Sequence, residues 1–279
     1  MTFDGDSLPP LRDVIRLNGL DARKGLGQHF LLDLNMTRKI ARAAGDLSGR
    51  DVLEIGPGPG GLTRALLESD ADRVVAVERD ARCIAALANV VEAASPRLEL
   101  VEGDALEADA RALVRQGAAI VANLPYNVGT PLLFQWLDMP QHFSAMVLMF
   151  QLEVAERITA APGTKHYGRL AVMANWRWRA RKLFELPARA FTPPPKVASA
   201  VVQLIPRAEP LAEADGDTLS VVVAAAFNQR RKMLRQSLKA LGVDAGALLE
   251  AASIDPTRRA ETLSIEEFCA LARALQDAR

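Results

Sequence analysis

The segment 52–63, VLEIGPGPGGLT, constrains the fold of this 279-residue chain more than any other stretch. An apolar run of strand character ends in four closely spaced glycines, and helical periodicity begins directly after them. Glycine allows positive φ and lets a ligand approach where a Cβ would otherwise stand. The spacing of Gly56, Gly58 and Gly61 satisfies the dinucleotide-binding fingerprint, although a plain tight turn has the same composition. The segment therefore predicts a strand, a loop and a helix, and leaves the ligand open.

The next hundred residues repeat this alternation of strand and helix. After a short helix near 11–17, apolar runs predict strands at 51–55, 74–77, 98–101, 118–122 and 145–150, with helical segments between them. Such a rhythm is typical of an α/β fold with a parallel sheet covered on both faces. Two further strands, 182–186 and 199–205, flank the stiff segment FTPPPK.

The pattern changes after Pro206, where a polar linker leads into residues with helical periodicity only. Phe227, Leu234, Leu238 and Leu241 would share one face of a basic helix. We therefore expect an N-terminal arm plus α/β domain over residues 1–206 and a small all-helical domain over residues 207–279.

Composition excludes several functional classes. Lys plus Arg and Asp plus Glu both number 34, so no global charge field identifies a partner. Two distant cysteines, Cys83 and Cys269, and three scattered histidines form no metal-ligand spacing. No secretory signal opens the chain, and no apolar run reaches the ~18 residues of a membrane span. The expectation is a cytoplasmic protein without a metal and without a membrane partner.

Acidic residues follow the predicted strands. Glu54 and Glu78 lie at the ends of the first two strands of the alternating region, and Asp104 follows the third. A carboxylate there can accept both hydroxyls of a ribose, and Asp104 can accept from an adenine amine. Each acid alone can be a helix cap. Together, at one sheet edge, they favour a nucleoside-containing ligand, and E-x-G-x-G resembles the first motif of S-adenosylmethionine-dependent methyltransferases.

The fourth strand of the alternation ends in Asn123, Leu124, Pro125 and Tyr126. A turn with a packed tyrosine is the alternative explanation. Beside the glycine loop, the segment resembles the (Asn/Asp)-Pro-Pro-(Tyr/Phe) motif of amino-group methyltransferases. The Asn123 oxygen and the Leu124 carbonyl can accept both N–H groups of an adenine amine, while the Tyr126 ring can stack on an extruded base. Positioning then does most of the catalytic work.

Taken together, the motifs resemble the small-subunit ribosomal RNA adenine N6,N6-dimethyltransferases over nearly the whole chain. They are ARKGLGQHFL, LEIGPGPGGLT, NLPYNVGTPLL, YGRLAV, FTPPPKVASAVV and FNQRRKMLRQSL. The resemblance implies a Rossmann-like class I methyltransferase domain followed by a small helical domain. It implies S-adenosylmethionine as methyl donor and no metal. The implied substrate is two adjacent adenines near the 3′ end of 16S rRNA, in the immature small ribosomal subunit, and the implied enzyme is a monomer acting in ribosome biogenesis.

Residue roles carry over by motif. The donor pocket would use His29, Leu31, Gly56, Gly58, Glu78, Asp104 and Asn123. The catalytic group would be Asn123, Leu124, Pro125 and Tyr126, with Phe191 as a second aromatic surface for the base. RNA phosphates would contact Arg230, Arg231, Lys232, Arg235 and Lys239, although a solvated helix looks the same. His29 stands where the family usually has Asn, which matters only if the contact is through the side chain.

Three alternatives remain open at this point. A related 23S rRNA methylase shares most of the motifs, although FTPPPKVASAVV and the C-terminal segment fit the small-subunit enzyme better. A noncatalytic nucleic-acid-binding relative would have no need of the glycine loop or Asn123. A nicotinamide-dependent dehydrogenase would have no use for Asn-Leu-Pro-Tyr.

Overall fold

The computed structural model describes residues 3–20 and 29–278. The chain forms two compact units. The first unit comprises Met1–Ala155 with Arg181–Pro206, and the second comprises Glu156–Ala180 with Arg207–Arg279. Residues 22–28 of the motif ARKGLGQHFL lie outside the described residues. One junction between the units falls after residue 206, where the sequence predicts a domain boundary. Residues 156–180, which were expected in the α/β domain, instead group with the C-terminal helices.

Nine strands of the described residues form two sheets. They are β1 (Phe30–Leu31), β2 (Asp51–Ile55), β3 (Arg73–Glu78), β4 (Leu98–Glu102), β5 (Ala118–Asn123), β6 (Phe143–Gln151), β7 (Trp178–Leu186), β8 (Phe191–Thr192) and β9 (Ser199–Pro206). The large sheet has the order β4-β3-β2-β5-β6-β9-β7, and β1 pairs with β8 in a separate ribbon.

The large sheet is mixed rather than purely parallel. Its pairs β3–β4, β2–β3, β2–β5 and β5–β6 are parallel, while β9 runs antiparallel to β6. The five strands that the alternation predicts before residue 151 are confirmed. The antiparallel β9 lies beyond the alternating region and takes its place in the sheet between β6 and β7.

The first unit carries eight α-helices among its described residues. They are α1 (Leu11–Leu17), α2 (Leu34–Arg42), α3 (Gly61–Leu67), α4 (Ala81–Ala86), α5 (Ala88–Ala94), α6 (Ala110–Leu113), α7 (Gly129–Leu137) and α8 (Leu152–Ile158), the last of which runs into the second unit. The helical segment between β3 and β4 is interrupted at Leu87, which divides it into α4 and α5. The segment between β4 and β5 contains only the short α6, which the Asp109 side chain caps.

The central strands are buried on both faces, as their apolar composition predicts. Val52, Leu53, Val74, Val75 and Ile120 have no exposed surface. Parallel strands covered on both sides need such continuous apolar runs, because neither face meets water. This packing fixes the carboxyl ends of β2, β3 and β5 side by side at one edge of the sheet.

The second unit is built on helices. They are α9 (Arg169–Trp176), α10 (Gly216–Asn228), α11 (Leu234–Ser237), α12 (Ala245–Ala251) and α13 (Ile265–Asp277). Residues 156–180 belong here because α9 packs against α10 and α13. Throughout the part of the chain that the structure describes, no helix is both long enough and apolar enough to cross a membrane.

The single basic helix expected through residues 227–241 is wrong. The chain leaves α10 after Asn228, turns, and is extended at Met233 before α11 begins. The Leu234 amide donates to the Arg258 carbonyl at 2.8 Å, a long-range bond that local periodicity does not reveal. Leu234 and Leu238 are nevertheless fully buried, so the apolar positions are core positions as expected.

A buried carboxylate ties the amino edge of the sheet together. Asp51, 1% exposed, accepts from Arg73 Nη2 at 2.8 Å and from Arg115 Nη2, Nε and the Arg115 amide at 2.5, 3.0 and 3.0 Å. Burial alone would raise the pKa of Asp51, but the bonds from Arg115 and Arg73 outweigh it and hold that pKa well below its ordinary range. The carboxylate therefore joins β2 to β3 and to the segment before β5.

Asp51→Asn should lower the free energy of unfolding by roughly 2 kcal/mol at neutral pH, because it removes the charge from several hydrogen bonds. Since the folded pKa is depressed, the carboxylate stabilises the fold above its unfolded pKa, and this contribution is lost as pH falls through the folded value. Urea unfolding of the variant and wild type should therefore differ most at neutral pH and converge in acid. Asp109→Asn, which breaks an exposed pair with Arg111, is the matched control and should change little.

Candidate active site

A cleft opens where β2, β3 and β5 end at their carboxyl edge. Its empty space is about 1140 Å³, part of which is open to solvent. Eleven candidate residues named from the sequence lie along its wall: His29, Leu31, Glu54, Gly56, Gly58, Glu78, Asp104, Asn123, Leu124, Pro125 and Tyr126. The structure thus brings together residues that are spread over nearly a hundred positions of sequence.

The glycine loop forms the floor of the cleft, and two of its glycines are required by geometry. Gly58 has φ +56°, and a Cβ there would stand 3.1 Å from the Phe30 ring. A Cβ on Gly61 would stand 2.9 Å from the Leu31 carbonyl oxygen. A side chain at either position would push the loop away from β1, so the cleft keeps its shape only with glycine.

Glu78, at the end of β3, is held by backbone donors. Its Oε2 accepts from the Gly58 amide at 3.2 Å, and its Oε1 accepts from the amides of Arg79 and Asp80 at 2.9 Å each. Burial raises the pKa of this carboxyl, and the three donors oppose that rise. A carboxylate has about four lone-pair positions, so acceptor capacity remains for a ligand hydroxyl.

Asp104 lies across the cleft at the end of the β4 segment. Its Oδ2 accepts from Arg79 Nη1 at 2.9 Å, and its Oδ1 accepts from the Leu106 amide at 2.9 Å. The Arg79 side chain is 60% exposed, so solvent screens this ion pair. A ligand amine can share either oxygen, since each retains a second lone pair.

Glu54 is the residue of the cleft that the sequence under-valued. It is 1% exposed, and its Oε2 has no hydrogen-bond partner among the described residues. Burial raises the pKa of Glu54 to about 8, and the negative charge of Glu78 adds to the rise. The only sequence signal was its place two residues before the first glycine in E-x-G-x-G. A buried carboxyl beside the glycine loop is costly to ionise in the free protein. A positively charged ligand group next to it would favour the ionised form, which is the stronger acceptor.

Asn123 has a defined orientation. Its Nδ2 donates to the His29 carbonyl at 3.4 Å, and since a carbonyl can only accept, the Oδ1 is the side-chain atom left for another partner. The next turn is rigid because the Pro125 carbonyl accepts from the amides of Val128 and Gly129, at 3.1 Å each. The Pro125 ring packs on Gly56, where an added Cβ would lie 3.6 Å from Pro125 Cδ. The glycine loop and the Asn-Leu-Pro-Tyr turn therefore form one wall.

Tyr126 is half-buried beside Asn123 and is held at two points. Its hydroxyl lies 2.6 Å from Ser199 Oγ, and its ring centroid lies 5.5 Å from that of His29. His29 Nδ1 is 2.8 Å from the Pro193 carbonyl, so that nitrogen carries the hydrogen. His29 therefore contacts the Tyr126 wall through its ring, and supports Asn123 through its backbone. Sequence reasoning gave no role to Ser199, although this residue lies within the motif FTPPPKVASAVV and begins the predicted strand 199–205.

Phe191 is not brought to the cleft. Its side chain is 3% exposed and belongs to the main apolar core together with Leu31 and Ile40. The reason is the pairing of β8 with β1, which sets Phe191 opposite Leu31, behind the cleft wall. Phe191 is therefore a core residue in this structure. It could offer a second aromatic surface to a base only if the residues that cover it moved away.

The basic residues expected to contact RNA all lie in the second unit, around the turn between α10 and α11. Arg231, Lys232, Arg235 and Lys239 are exposed. Arg230 is also engaged within its unit, since its Nε lies 3.2 Å from Glu261 Oε2 and its Nη2 donates to the Lys165 carbonyl. All five cations are exposed, and no continuous helix carries them. Arg230, Arg231 and Lys232 lie in the turn after α10, Arg235 lies in the short α11, and Lys239 lies in the 3₁₀ helix that follows it.

Neither cysteine is chemically prominent. Both are buried, and burial raises the pKa of Cys83 to about 12 and that of Cys269 to about 11, which keeps them as thiols. Across residues 3–20 and 29–278, no cluster of three or more His, Cys, Asp or Glu side chains has the arrangement of a metal site.

The acceptor groups of the cleft fit a cationic nucleoside. Glu78 and Asp104 present carboxylate oxygens of the kind that accept from ribose hydroxyls and amines, and Glu54 has a buried oxygen without a hydrogen-bond partner among the described residues. The same residues are a poor match to a phosphate-rich ligand, which buried carboxylates repel.

Glu54 should titrate near pH 8 in the ligand-free protein. Because its folded pKa lies above the unfolded value, the unfolded state loses the proton first, and the fold should lose stability as pH rises from about 4.5 to about 8. Glu54→Gln, which cannot ionise, should remove this loss and be more stable than wild type at pH 8. The unfolding midpoints of both proteins, measured across this window, test the prediction. A midpoint difference independent of pH would show that the buried carboxyl ionises alike in both states.

Comparison with known proteins agrees with this geometry. The family model described as ribosomal RNA adenine dimethylase matches residues 19–277. A protein named ribosomal RNA small subunit methyltransferase A from Mesorhizobium japonicum is 61% identical, over 99% of this chain and 100% of its own length. One of the same name from Rhodospirillum rubrum is 58% identical, over 98% of this chain and 95% of its own length.

Solved structures give the same result at lower identity. A dimethyladenosine transferase from Plasmodium falciparum superposes with a TM-score of 0.75 at 28% identity, covering 87% of this chain and 96% of its own. The 23S rRNA methyltransferase ErmE superposes with a TM-score of 0.68 at 27% identity, covering 88% of this chain and 99% of its own. The Rossmann-like class I methyltransferase fold expected from the sequence is confirmed. By its full-length match to the family model and to these relatives, the chain belongs to the ribosomal RNA adenine dimethylase family.

Proposed function

We propose that this S-adenosylmethionine-dependent methyltransferase transfers methyl groups to the N6 amines of two adjacent adenines near the 3′ end of 16S rRNA. The substrate is the immature small ribosomal subunit in the cytoplasm, and the enzyme acts as a monomer during ribosome biogenesis. The full-length relatives at 58–61% identity that carry the small-subunit name support this substrate over the large-subunit RNA named for ErmE, which is 27% identical.

The observation that carries the proposal is the orientation of Asn123. Its amide nitrogen is taken by the His29 carbonyl, so its oxygen is the atom available to a substrate. That oxygen is an acceptor beside the cleft, and the backbone carbonyl of the next residue along the cleft wall, Leu124, would be a second one. An adenine amine has two N–H donors and no strong basicity, and two fixed acceptors match it.

Holding the amine in this way favours attack. The lone pair of an adenine amine is delocalised into the ring, and hydrogen bonds from both N–H groups to Asn123 and Leu124 favour a more pyramidal nitrogen. Pro125 fixes the turn that carries these acceptors, and Tyr126 offers a ring face on which an extruded base can stack. Positioning and orientation supply the rate acceleration, so no strongly basic side chain is required.

The cleft holds the methyl donor with the acidic residues already described. S-adenosylmethionine, when bound, supplies a methyl group on a positively charged sulfonium for attack by a nitrogen lone pair. Glu78 would accept the ribose hydroxyls, and Asp104 would accept the adenine amine of the donor. Leu31 and Leu124, which are both buried, give the wall of this cleft apolar surface beside Asn123.

RNA contact would come in part from the basic turn of the second unit. Arg231, Lys232, Arg235 and Lys239 are exposed and lie within nine positions of sequence. Exposed guanidinium and ammonium groups bind phosphates with salt-dependent affinity and without sequence readout. Folded RNA would be recognised by shape, with the target adenines unstacked from a loop.

Methyl transfer to isolated, unmodified small subunits tests the proposal directly. With labelled S-adenosylmethionine, the wild type should produce dimethyladenosine at two adjacent positions, read by mass spectrometry of the digested RNA. Asn123→Ala should lose at least a hundredfold in turnover, because it removes one of two amine acceptors, while RNA binding should be nearly unchanged.

Each other result has a definite meaning for this proposal. Label in large-subunit RNA alone would assign the chain to the activity named for ErmE. No transfer to either RNA would favour a noncatalytic binding protein. Wild-type turnover by Asn123→Ala would refute the role given to that side chain.

Replacing Arg231 and Arg235 together with Ala should weaken RNA binding and reduce its salt dependence by roughly one to two units of log Kd per log salt. Arg258→Ala is the control variant in the same unit, because Arg258 forms a partly buried ion pair with Glu267. Binding isotherms at several salt concentrations provide the slopes. An unchanged slope in the double variant would remove the turn from the RNA interface.

A further inference from the structure

The Tyr126 side chain is anchored by a residue for which the reaction has no direct use. Ser199 has no exposed surface, and its Oγ lies 2.6 Å from the Tyr126 hydroxyl. Ser199 does not line the cleft, whereas Tyr126 does. The serine therefore touches the cleft wall from behind, through the tip of the aromatic ring.

Ser199 is itself fixed by the sheet. It is the first residue of β9 and pairs with Gln151 at the carboxyl end of β6. The next pair of backbone groups is also bonded, since the Leu152 amide donates to the Ala198 carbonyl at 2.9 Å. The backbone of Ser199 cannot shift without opening this ladder, and its side chain, with no exposed surface, has close neighbours on every side. The Ser199 hydroxyl is therefore a well-defined anchor for a group bonded to it.

The hydroxyl of Tyr126 has no evident role in stacking. A base stacks on the face of an aromatic ring, and phenylalanine offers the same face. The ring is attached to the backbone by two rotatable bonds, and its hydroxyl lies on the axis of the second. Fixing that tip therefore fixes the direction in which the ring points. On the other side, the His29 ring lies 5.5 Å away at 34° and is held by the Pro193 carbonyl.

We infer that Ser199 is a positioning residue, which fixes the position of the Tyr126 ring for the target adenine through the hydrogen bond between the two hydroxyls. The inference rests on the proposed function, because it needs Tyr126 to hold the base. A ring fixed before the substrate arrives loses no rotational freedom on binding, and a misoriented base attacks poorly. Loss of the hydrogen bond between Tyr126 and Ser199 should therefore lower turnover and leave the affinity for the methyl donor unchanged.

A double-mutant cycle tests this role. Tyr126→Phe and Ser199→Ala each remove the bond from one side, and each should lower kcat by about fivefold to fiftyfold with donor affinity unchanged. The double variant should be no slower than the slower single variant, because both changes remove the same interaction. Ser144→Ala, at the opposite edge of the same sheet, is the matched control and should keep wild-type kcat.

A second readout follows the ring itself. RNA with 2-aminopurine in place of the target adenine should be quenched less in complex with Ser199→Ala than with wild type, since the base would stack less uniformly. Thermal unfolding of all four proteins shows whether each is folded at the assay temperature. If Ser199→Ala fails to fold, Tyr126→Phe removes the same bond at a half-buried position and decides the question alone.

Several outcomes would overturn the inference. Wild-type kcat in Tyr126→Phe would show that the bond has no catalytic effect, and multiplicative losses in the double variant would show that the two hydroxyls act separately. Tyr126→Ala separates this inference from the proposed function. If that variant keeps full turnover, the stacking role of Tyr126 itself is wrong. If it is inactive while Tyr126→Phe and Ser199→Ala are normal, only the positioning role of Ser199 is wrong.

Discussion

The close approach of the glycine loop to β1 is the contact on which the cleft depends. With a Cβ at Gly58 or Gly61, the loop would collide with the Phe30 ring or the Leu31 carbonyl. The same loop donates the Gly58 amide to Glu78 and packs against Pro125 through Gly56. One backbone turn therefore sets the distance between the acid that ends β3 and the turn that ends β5. Parallel strands supply the neighbouring ends, and the loop determines how close their side chains come.

Most polar side chains of the cleft have part of their hydrogen-bonding capacity used within the protein and the rest available to a ligand. Glu78 is held by three backbone donors, and the side-chain N–H of Asn123 donates to the His29 carbonyl. A side chain held in this way loses little freedom when a ligand arrives, so more of the interaction energy goes into orienting the reactants. Glu54 differs, because its buried oxygen has no partner among the described residues. An unsatisfied buried group is costly, and such costs are tolerated mainly where a ligand completes the bond.

Much of this architecture was predictable from local pattern. The helix at Leu11–Leu17 and the strand at Asp51–Ile55 have the predicted bounds, because apolar spacing alone defines them. The cleft residues were predictable from their motifs, since strand ends of a parallel sheet meet at one edge. What escaped prediction depends on long-range contacts. The break after Asn228 is fixed by the Leu234–Arg258 bond, Phe191 is buried by the pairing of β8 with β1, and Ser199 acquires its role from a tyrosine 73 positions away.

The distribution of charge explains how a chain of zero net charge suits both a cationic donor and a polyanionic substrate. In the first unit, Glu54, Glu78 and Asp104 place acidic groups around one cleft, where burial strengthens their attraction for a cation and their repulsion of phosphate. In the second unit, the segment after α10 presents exposed cations. Exposed cations in general can bind phosphates in water at little desolvation cost. A uniform basic surface would bind RNA of any kind and would add no preference for a folded target. Local charge leaves recognition to shape, and shape is what distinguishes a particular loop of a structured ribosomal RNA.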